Sequence, residues 1–145
     1  MTVARGFLPV AALAGWLAIG SVGTAWAAPT LSGHYIATVT SSTGETTDSD
    51  WYFTPCGDGC ASAANTPGGP SFGNARMVNG QWTMVWHSDA FCPGGSRVPG
   101  VYVSYASWDP ETLEGKDDSG IDTPICGSGG RPPRVTQHLQ LTQVG

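Results

Sequence analysis

The chain has 145 residues, with 11 acidic and six basic side chains and a formal net charge of −5 at neutral pH. Because phosphate contacts require clustered Lys and Arg, this charge balance argues against binding to nucleic acid or to an anionic membrane surface. The sequence is divided by 21 glycines and 11 prolines, and no long segment shows the periodicity of an amphipathic helix.

The first 27 residues have the pattern of a signal peptide. Arg5 is their only charged residue, and a short apolar run follows it. Residues 25–27 (Ala-Trp-Ala) match the small-x-small pattern of a cleavage site, which predicts a cut after Ala27. The apolar run is shorter than the roughly 20 residues of a membrane span. We therefore expect an exported protein, secreted or held in the cell envelope, with one domain over residues 28–145 and no membrane span after cleavage.

Eight short segments rich in β-forming residues follow, and turn residues separate them. Asn79-Gly80 lies between the fourth and fifth segments and is the strongest hairpin signal, because a type I′ turn needs two residues at positive φ. The predicted strands cover residues 33–41, 49–54, 61–65, 72–78, 81–87, 101–108, 112–116 and 135–144.

An even number of alternating strands allows the last strand to pair antiparallel with the first, which removes both sheet edges. The sequence therefore predicts an all-β fold, an antiparallel up-and-down barrel of about eight short strands. A β-sandwich is the alternative.

The four cysteines predict two disulfides, as is common in short exported chains. In an alternating barrel Cys56 and Cys60 lie at one end, and Cys92 and Cys126 lie at the other. A bridge between opposite ends would have to span a strand of about 20 Å, against the roughly 5–6 Å Cα spacing of a disulfide. The expected pairs are therefore Cys56–Cys60 and Cys92–Cys126. A zinc site is the rival interpretation, but no His stands at the spacing of a zinc finger.

Aromatic residues are the most distinctive feature of the predicted strands. The simplest interpretation is that they fill the core of a small domain with few Leu and Ile. The functional interpretation is an aromatic-lined cavity for a small apolar ligand or a sugar, since an eight-stranded barrel can hold one ligand. If there is such a cavity, its candidate residues are Trp51, Trp82, Trp86 and Trp108.

Two further groups of side chains have a functional and a simpler interpretation. His34 and His138 lie in the first and last strands, so they could pair or bind a metal in a closed barrel, but rim or surface positions are favoured. Asp117, Asp118 and Asp122 could bind Ca²⁺, but they lack the spacing of a known calcium loop, which favours a solvated loop.

The sequence contains no G-x-S-x-G elbow and no H-E-x-x-H motif. It therefore predicts no catalytic residues, no metal and no cofactor. A secreted hydrolase acting on cell-envelope material is an alternative, which requires a polar cleft with a His beside a carboxylate or a Ser. A structural secreted protein without a specific ligand is a further alternative.

The order of several short segments resembles that of a group of small mycobacterial secreted proteins. It is also similar to the extracytoplasmic C-terminal domains of some mycobacterial serine/threonine kinases. The longest such segments are W-Y-F-T-P-C-G-D-G-C at residues 51–60 and W-D-P-E-T-L-E-G at residues 108–115. Shorter ones are G-H-Y at residues 33–35, N-G-Q-W at 79–82, C-P-G-G at 92–95, Cys126, and L-x-L-T at 139–142. The resemblance implies an extracytoplasmic location and a sensing or binding role, and it implies no catalytic residue.

Taken together, these patterns predict an exported, non-enzymatic β domain that binds a small ligand or a partner protein of the cell envelope.

Overall fold

The computed structural model describes residues 27–127 and 133–145. The predicted signal peptide lies outside these residues, except for Ala27. Eight strands form a closed barrel in which each strand pairs antiparallel with the next, and β8 pairs with β1. They are β1 (Gly33–Thr40), β2 (Thr46–Gly57), β3 (Cys60–Ala64), β4 (Ser71–Val78), β5 (Gln81–Phe91), β6 (Arg97–Trp108), β7 (Glu114–Ile121) and β8 (Val135–Gln143). The predicted fold class, an up-and-down barrel with two disulfides, is confirmed.

Strand alternation gives the barrel two different ends. The mouth end carries the β1–β2, β3–β4, β5–β6 and β7–β8 connections. The base carries the other three connections and both ends of the described chain. Among the described residues, no helix is both long and apolar enough to cross a membrane.

The barrel interior is filled by large aromatic side chains that lie beside very small ones. The interior of an eight-stranded barrel is just wide enough to be filled by side chains. Ala61 and Ala63 of β3 and Ala75 of β4 face inward, and their small side chains leave room for indole and phenyl rings from β2, β5 and β6. The core consists of Leu31, Tyr35, Ala37, Trp51, Phe53, Ala61, Ala63, Ala75, Trp82, Met84, Ala106, Trp108, Leu139 and Leu141.

The hairpin between β4 and β5 forms as predicted. Asn79 and Gly80 have φ values of 50° and 79°, and the flanking residues Val78 and Gln81 are paired across the strands. Two consecutive residues at positive φ are the requirement of a type I′ turn. This turn sets the pairing of β4 with β5, in which the side chains of Trp82 and Met84 face the barrel interior.

The hairpin of β5 and β6 is longer than predicted. Pairing continues beyond a register shift between Ser88 and Ala90 as far as Phe91 and Arg97. The Asp89 side chain accepts hydrogen bonds from the Gly100 amide at 3.0 Å and from Arg97. These bonds lower the pKa of Asp89, with the Gly100 amide as the larger cause. Pro and Gly in this segment favour turns, so the local pattern predicts shorter strands, whereas in the fold these residues lie around a bulge.

β7 lies further along the chain than predicted. The predicted strand covered residues 112–116, whereas the observed strand runs to Ile121 through a segment of Gly, Ser and Asp. Those residue types are poor strand formers. Pairing with β6 on one side and β8 on the other overrides this local preference. Gly115 is required here, because a Cβ on it would lie 2.6 Å from the Cα of Trp108.

The four cysteines form the two predicted disulfides. Cys56–Cys60 lies at the base, and Cys92–Cys126 lies at the mouth end, with Cα–Cα distances of 5.0 and 5.4 Å. All four cysteines of the chain are therefore paired, which contradicts the zinc interpretation.

Candidate functional site

A continuous series of aromatic rings runs from the sealed base of the barrel to its mouth. Trp108 contacts Phe53 and Trp51, with ring centroids 6.1 and 6.2 Å apart. Trp51 in turn contacts Trp86 at 5.4 Å and Phe72 at 5.8 Å. Trp108 is fully buried and Trp51 nearly so, whereas Trp86 and Phe72 are partly exposed. The rings therefore become accessible only at the mouth end.

The accessible rings lie in a recess of about 300 Å³, which we call the mouth recess. Its apolar lining is Val39, Trp51, Phe72 and Trp86. Its polar lining is Ser49, Asn65, His87 and Ser88. Concave sites with an apolar floor and a few polar groups are typical of small-ligand binding.

The four predicted ligand-binding indoles divide into two pairs. Trp51 and Trp86 line the mouth recess. Trp82 and Trp108 are 1% and 0% exposed and belong to the sealed core. Core filling is therefore confirmed for Trp82 and Trp108, and Trp51 also belongs to the buried core, whereas ligand binding by Trp51 and Trp86 stays a prediction.

Phe72 is a recess residue that the sequence analysis did not single out. The register between β3 and β4 shifts so that Ala63 pairs with Gly73 and Ala64 with Ser71. Phe72 is thus the extra residue of a bulge, and it packs against Trp51 and Trp86. A bulge of this kind depends on cross-strand pairing, so the sequence pattern carried no signal for it.

The polar residues of the mouth recess are held mainly by backbone groups. The Ser49 hydroxyl donates to the Ala37 carbonyl at 3.5 Å, and the Asn65 amide donates to the Asp50 carbonyl at 3.4 Å. Nδ1 of His87 donates to the Gly100 carbonyl at 3.2 Å. Each of these groups keeps at least one further hydrogen-bonding position, because hydroxyls and amides both donate and accept.

The other two histidines bind carboxylates instead of each other. His34 lies 2.7 Å from Asp50 and stacks on Tyr52, and His138 lies 2.8 Å from Glu114. Within residues 27–127 and 133–145, no group of three His, Cys, Asp or Glu side chains is placed to hold a metal ion. Each pair supplies the His beside a carboxylate that the hydrolase alternative requires, but both pairs are exposed, and neither ring is hydrogen-bonded to a serine among the described residues.

The prediction that the acidic run forms a solvated loop is wrong for Asp117 and Asp118, which lie in β7. Asp117 is 5% exposed, and its Oδ1 has no hydrogen-bond partner among the described residues. Burial and the neighbouring charge of Asp118 raise the pKa of Asp117 to about 6, against a lowering effect of Arg134. Asp117 faces inward because β7 alternates, and its pairing with Ala106 and Gln137 sets that register.

Asp118 and Asp122 are bound by Arg134 on the outer side of the barrel. The guanidinium donates to Asp118 at 3.2 Å, to Asp122 at 2.7 Å and to the Val103 carbonyl at 3.2 Å. Its carbon also lies 4.7 Å from the ring centre of Tyr105. These carboxylates therefore stabilise the start of β8 and are already occupied by a cation from this chain.

The buried Asp117 predicts that Asp117→Asn stabilises the protein above about pH 6. The native state of the wild type binds the Asp117 proton more tightly than the unfolded state does, since its pKa is raised from 3.8 to about 6. The contribution of Asp117 to the free energy of unfolding therefore falls as pH rises from about 4 to about 6, by at most roughly 3 kcal/mol. The neutral Asn side chain does not titrate. The free energy of unfolding of Asp117→Asn relative to the wild type therefore rises over this range and is constant above it.

This prediction is checked by urea unfolding of both proteins from pH 4 to pH 8. Asp58→Asn is the matched control, because Asp58 is exposed, and its difference from the wild type is expected to stay flat. A constant difference between Asp117→Asn and the wild type across this range would contradict the raised pKa of Asp117.

The fold and the recess define the protein as a closed eight-stranded up-and-down β-barrel with a filled core and an aromatic recess at one end. No protein-family model matches the chain, and neither a curated protein nor a solved structure matches it.

Proposed function

We propose that this chain is an exported, non-enzymatic barrel domain that binds a small ligand in the mouth recess. The observation that supports ligand binding most directly is that Phe72 and Trp86 are partly exposed in the recess, whereas the aromatic rings of the core are buried. Single exposed rings are common on protein surfaces, whereas neighbouring rings that line one concave surface are typical of a binding site. An occupant of the recess would cover both rings.

The proposed location rests on three features. The first 27 residues have a signal-peptide pattern. The two disulfides are compatible with an extracytoplasmic location, because disulfides persist in oxidising compartments. The resemblance to small mycobacterial secreted proteins points the same way.

Native mass spectrometry of the chain exported by its own host tests this proposal. We expect a mass that corresponds to cleavage after Ala27 and to the loss of four hydrogens in two disulfides. We also expect a non-covalent adduct that leaves on gentle activation and is absent from Trp86→Ala. Tyr105→Ala is the matched control, because Tyr105 is an exposed ring on the outer wall, and it should keep the adduct.

Two outcomes would count against the proposal. An adduct that persists in Trp86→Ala would place the ligand elsewhere on the protein. A bare monomer in every sample would contradict binding of a small ligand and would favour an envelope protein as the partner.

A further inference from the structure

The ring arrangement of the mouth recess restricts the shape of its ligand. The centroids of Trp51, Phe72 and Trp86 are 5.4–6.1 Å apart, which is the spacing of rings in direct edge-to-face contact. No chemical group fits between rings at that spacing. A ligand must therefore lie against their free faces. Phe72 and Trp86 are partly exposed and stand at 77° to each other, so they form two walls of a corner.

The recess also restricts the charge of its ligand. None of its eight lining residues is Asp, Glu, Lys or Arg. A charged group that enters an apolar corner loses hydration and needs a partner of opposite charge to compensate. An aromatic cage around a quaternary ammonium is also disfavoured, since that cation sits over separate ring faces and these rings contact each other. The lining therefore favours a neutral ligand.

The polar rim restricts the ligand further. Asn65 and Ser88 offer both donor and acceptor positions beside the aromatic corner, and Ser49, whose hydroxyl donates to the Ala37 carbonyl, offers an acceptor position. A purely hydrocarbon ligand would cover these groups and leave them without partners, which costs free energy. A ligand with an apolar face and several hydroxyl groups at its edge would satisfy both the rings and the rim. A sugar ring has this chemistry.

We infer that the mouth recess binds an uncharged carbohydrate unit, with one sugar face stacked on Trp86 or Phe72 and its hydroxyl groups bonded to the rim. This inference rests on the proposed function and names the ligand class of the same recess. The volume of about 300 Å³ is at the lower end of the roughly 300–1,000 Å³ of small-molecule sites. The recess therefore suits one or two sugar rings of a longer chain, and the rest of that chain extends into solvent.

An NMR titration of the exported, disulfide-bonded chain tests the inference. The probes are a panel of neutral trisaccharides (maltotriose, cellotriose, chitotriose, mannotriose and an arabinofuranose trimer), with 1-octanol and tetramethylammonium chloride as the competing chemistries. We expect at least one trisaccharide to shift the indole N–H signal of Trp86 while leaving that of the sealed Trp82 unchanged.

The variants make the test specific. Trp86→Ala is expected to bind the same trisaccharide at least about tenfold more weakly, a loss of about 1.4 kcal/mol. Ser88→Ala is expected to weaken binding by less, since it removes one hydrogen bond. Tyr105→Ala is expected to bind as the wild type does.

Each other outcome overturns the inference. Binding of octanol alone would assign an apolar ligand to the recess, and binding of tetramethylammonium alone would assign a cation. If no probe shifts the Trp86 signal, the carbohydrate class is wrong. The proposed function would survive that result if native mass spectrometry still finds an adduct that depends on Trp86, so the two failures are distinguishable.

Discussion

Replacing Cys92 and Cys126 by serine is expected to lower the free energy of unfolding by about 4 kcal/mol, about twice the loss for Cys56 and Cys60. A disulfide stabilises a fold mainly because it restricts the unfolded chain, and this effect grows with the length of the closed loop. The two bridges have sequence separations of 34 and 4. In the chain-entropy description these loops correspond to about 4 and about 2 kcal/mol.

The comparison is made by urea unfolding of the two double variants, C92S/C126S and C56S/C60S, against the wild type. Each variant keeps one native bridge, so each serves as the control for the other. Equal losses, or a larger loss for C56S/C60S, would contradict the loop-length argument. Such a result would indicate that contacts made by the Cys56–Cys60 bridge in the native state contribute more to stability than loop length does.

The second large effect is expected from Trp108→Ala, which should lower the free energy of unfolding by about 3–5 kcal/mol. Trp108 is fully buried and contacts both Trp51 and Phe53. Removing the indole leaves a cavity in the closed barrel, where the paired strands leave little freedom to collapse around it. Thermal and urea unfolding measure this loss.

Two related variants separate packing from polar effects. Trp108→Phe should lose much less, because it keeps an aromatic ring and removes the indole N–H, which has no partner among the described residues. Trp86→Ala should lose less than half as much as Trp108→Ala, because Trp86 is already partly exposed. If Trp86→Ala is as destabilising as Trp108→Ala, the recess is part of the core, and loss of ligand in that variant would no longer be evidence of a contact.

The number of strands, the Asn79-Gly80 hairpin and the disulfide pairs could all be predicted because each depends on local features. Alternating β-formers mark strands, an Asn-Gly pair specifies a turn, and simple up-and-down alternation assigns each cysteine to one end of the barrel. The even number of strands allows the barrel to close, and the pairing of β8 with β1 in the structure decides against the β-sandwich. None of these predictions requires knowledge of a side-chain contact.

The position of β7 could not be predicted in the same way. Its segment of Gly, Ser and Asp has low strand propensity, and the neighbouring strands supply the hydrogen bonds that hold it. The burial of Asp117 follows from that placement. Alternate side chains of a barrel strand point into the barrel, and the register of β7 puts Asp117 at one of these inward positions. The carboxylate therefore lies inside the barrel despite the polar character of its segment.

The candidate site shows the same division. The sequence by itself determined that the strands are rich in aromatic residues, that Trp82 and Trp86 share one face of β5, and that an eight-stranded barrel with two disulfides can form around them. Only the tertiary structure decided that Trp82 and Trp108 are sealed while Trp51 and Trp86 meet Phe72 at the mouth. The physical reason is that alternation along a strand specifies which face a side chain occupies. Its depth in the barrel is set by strand register and bulges, which arise from pairing between strands distant in the chain.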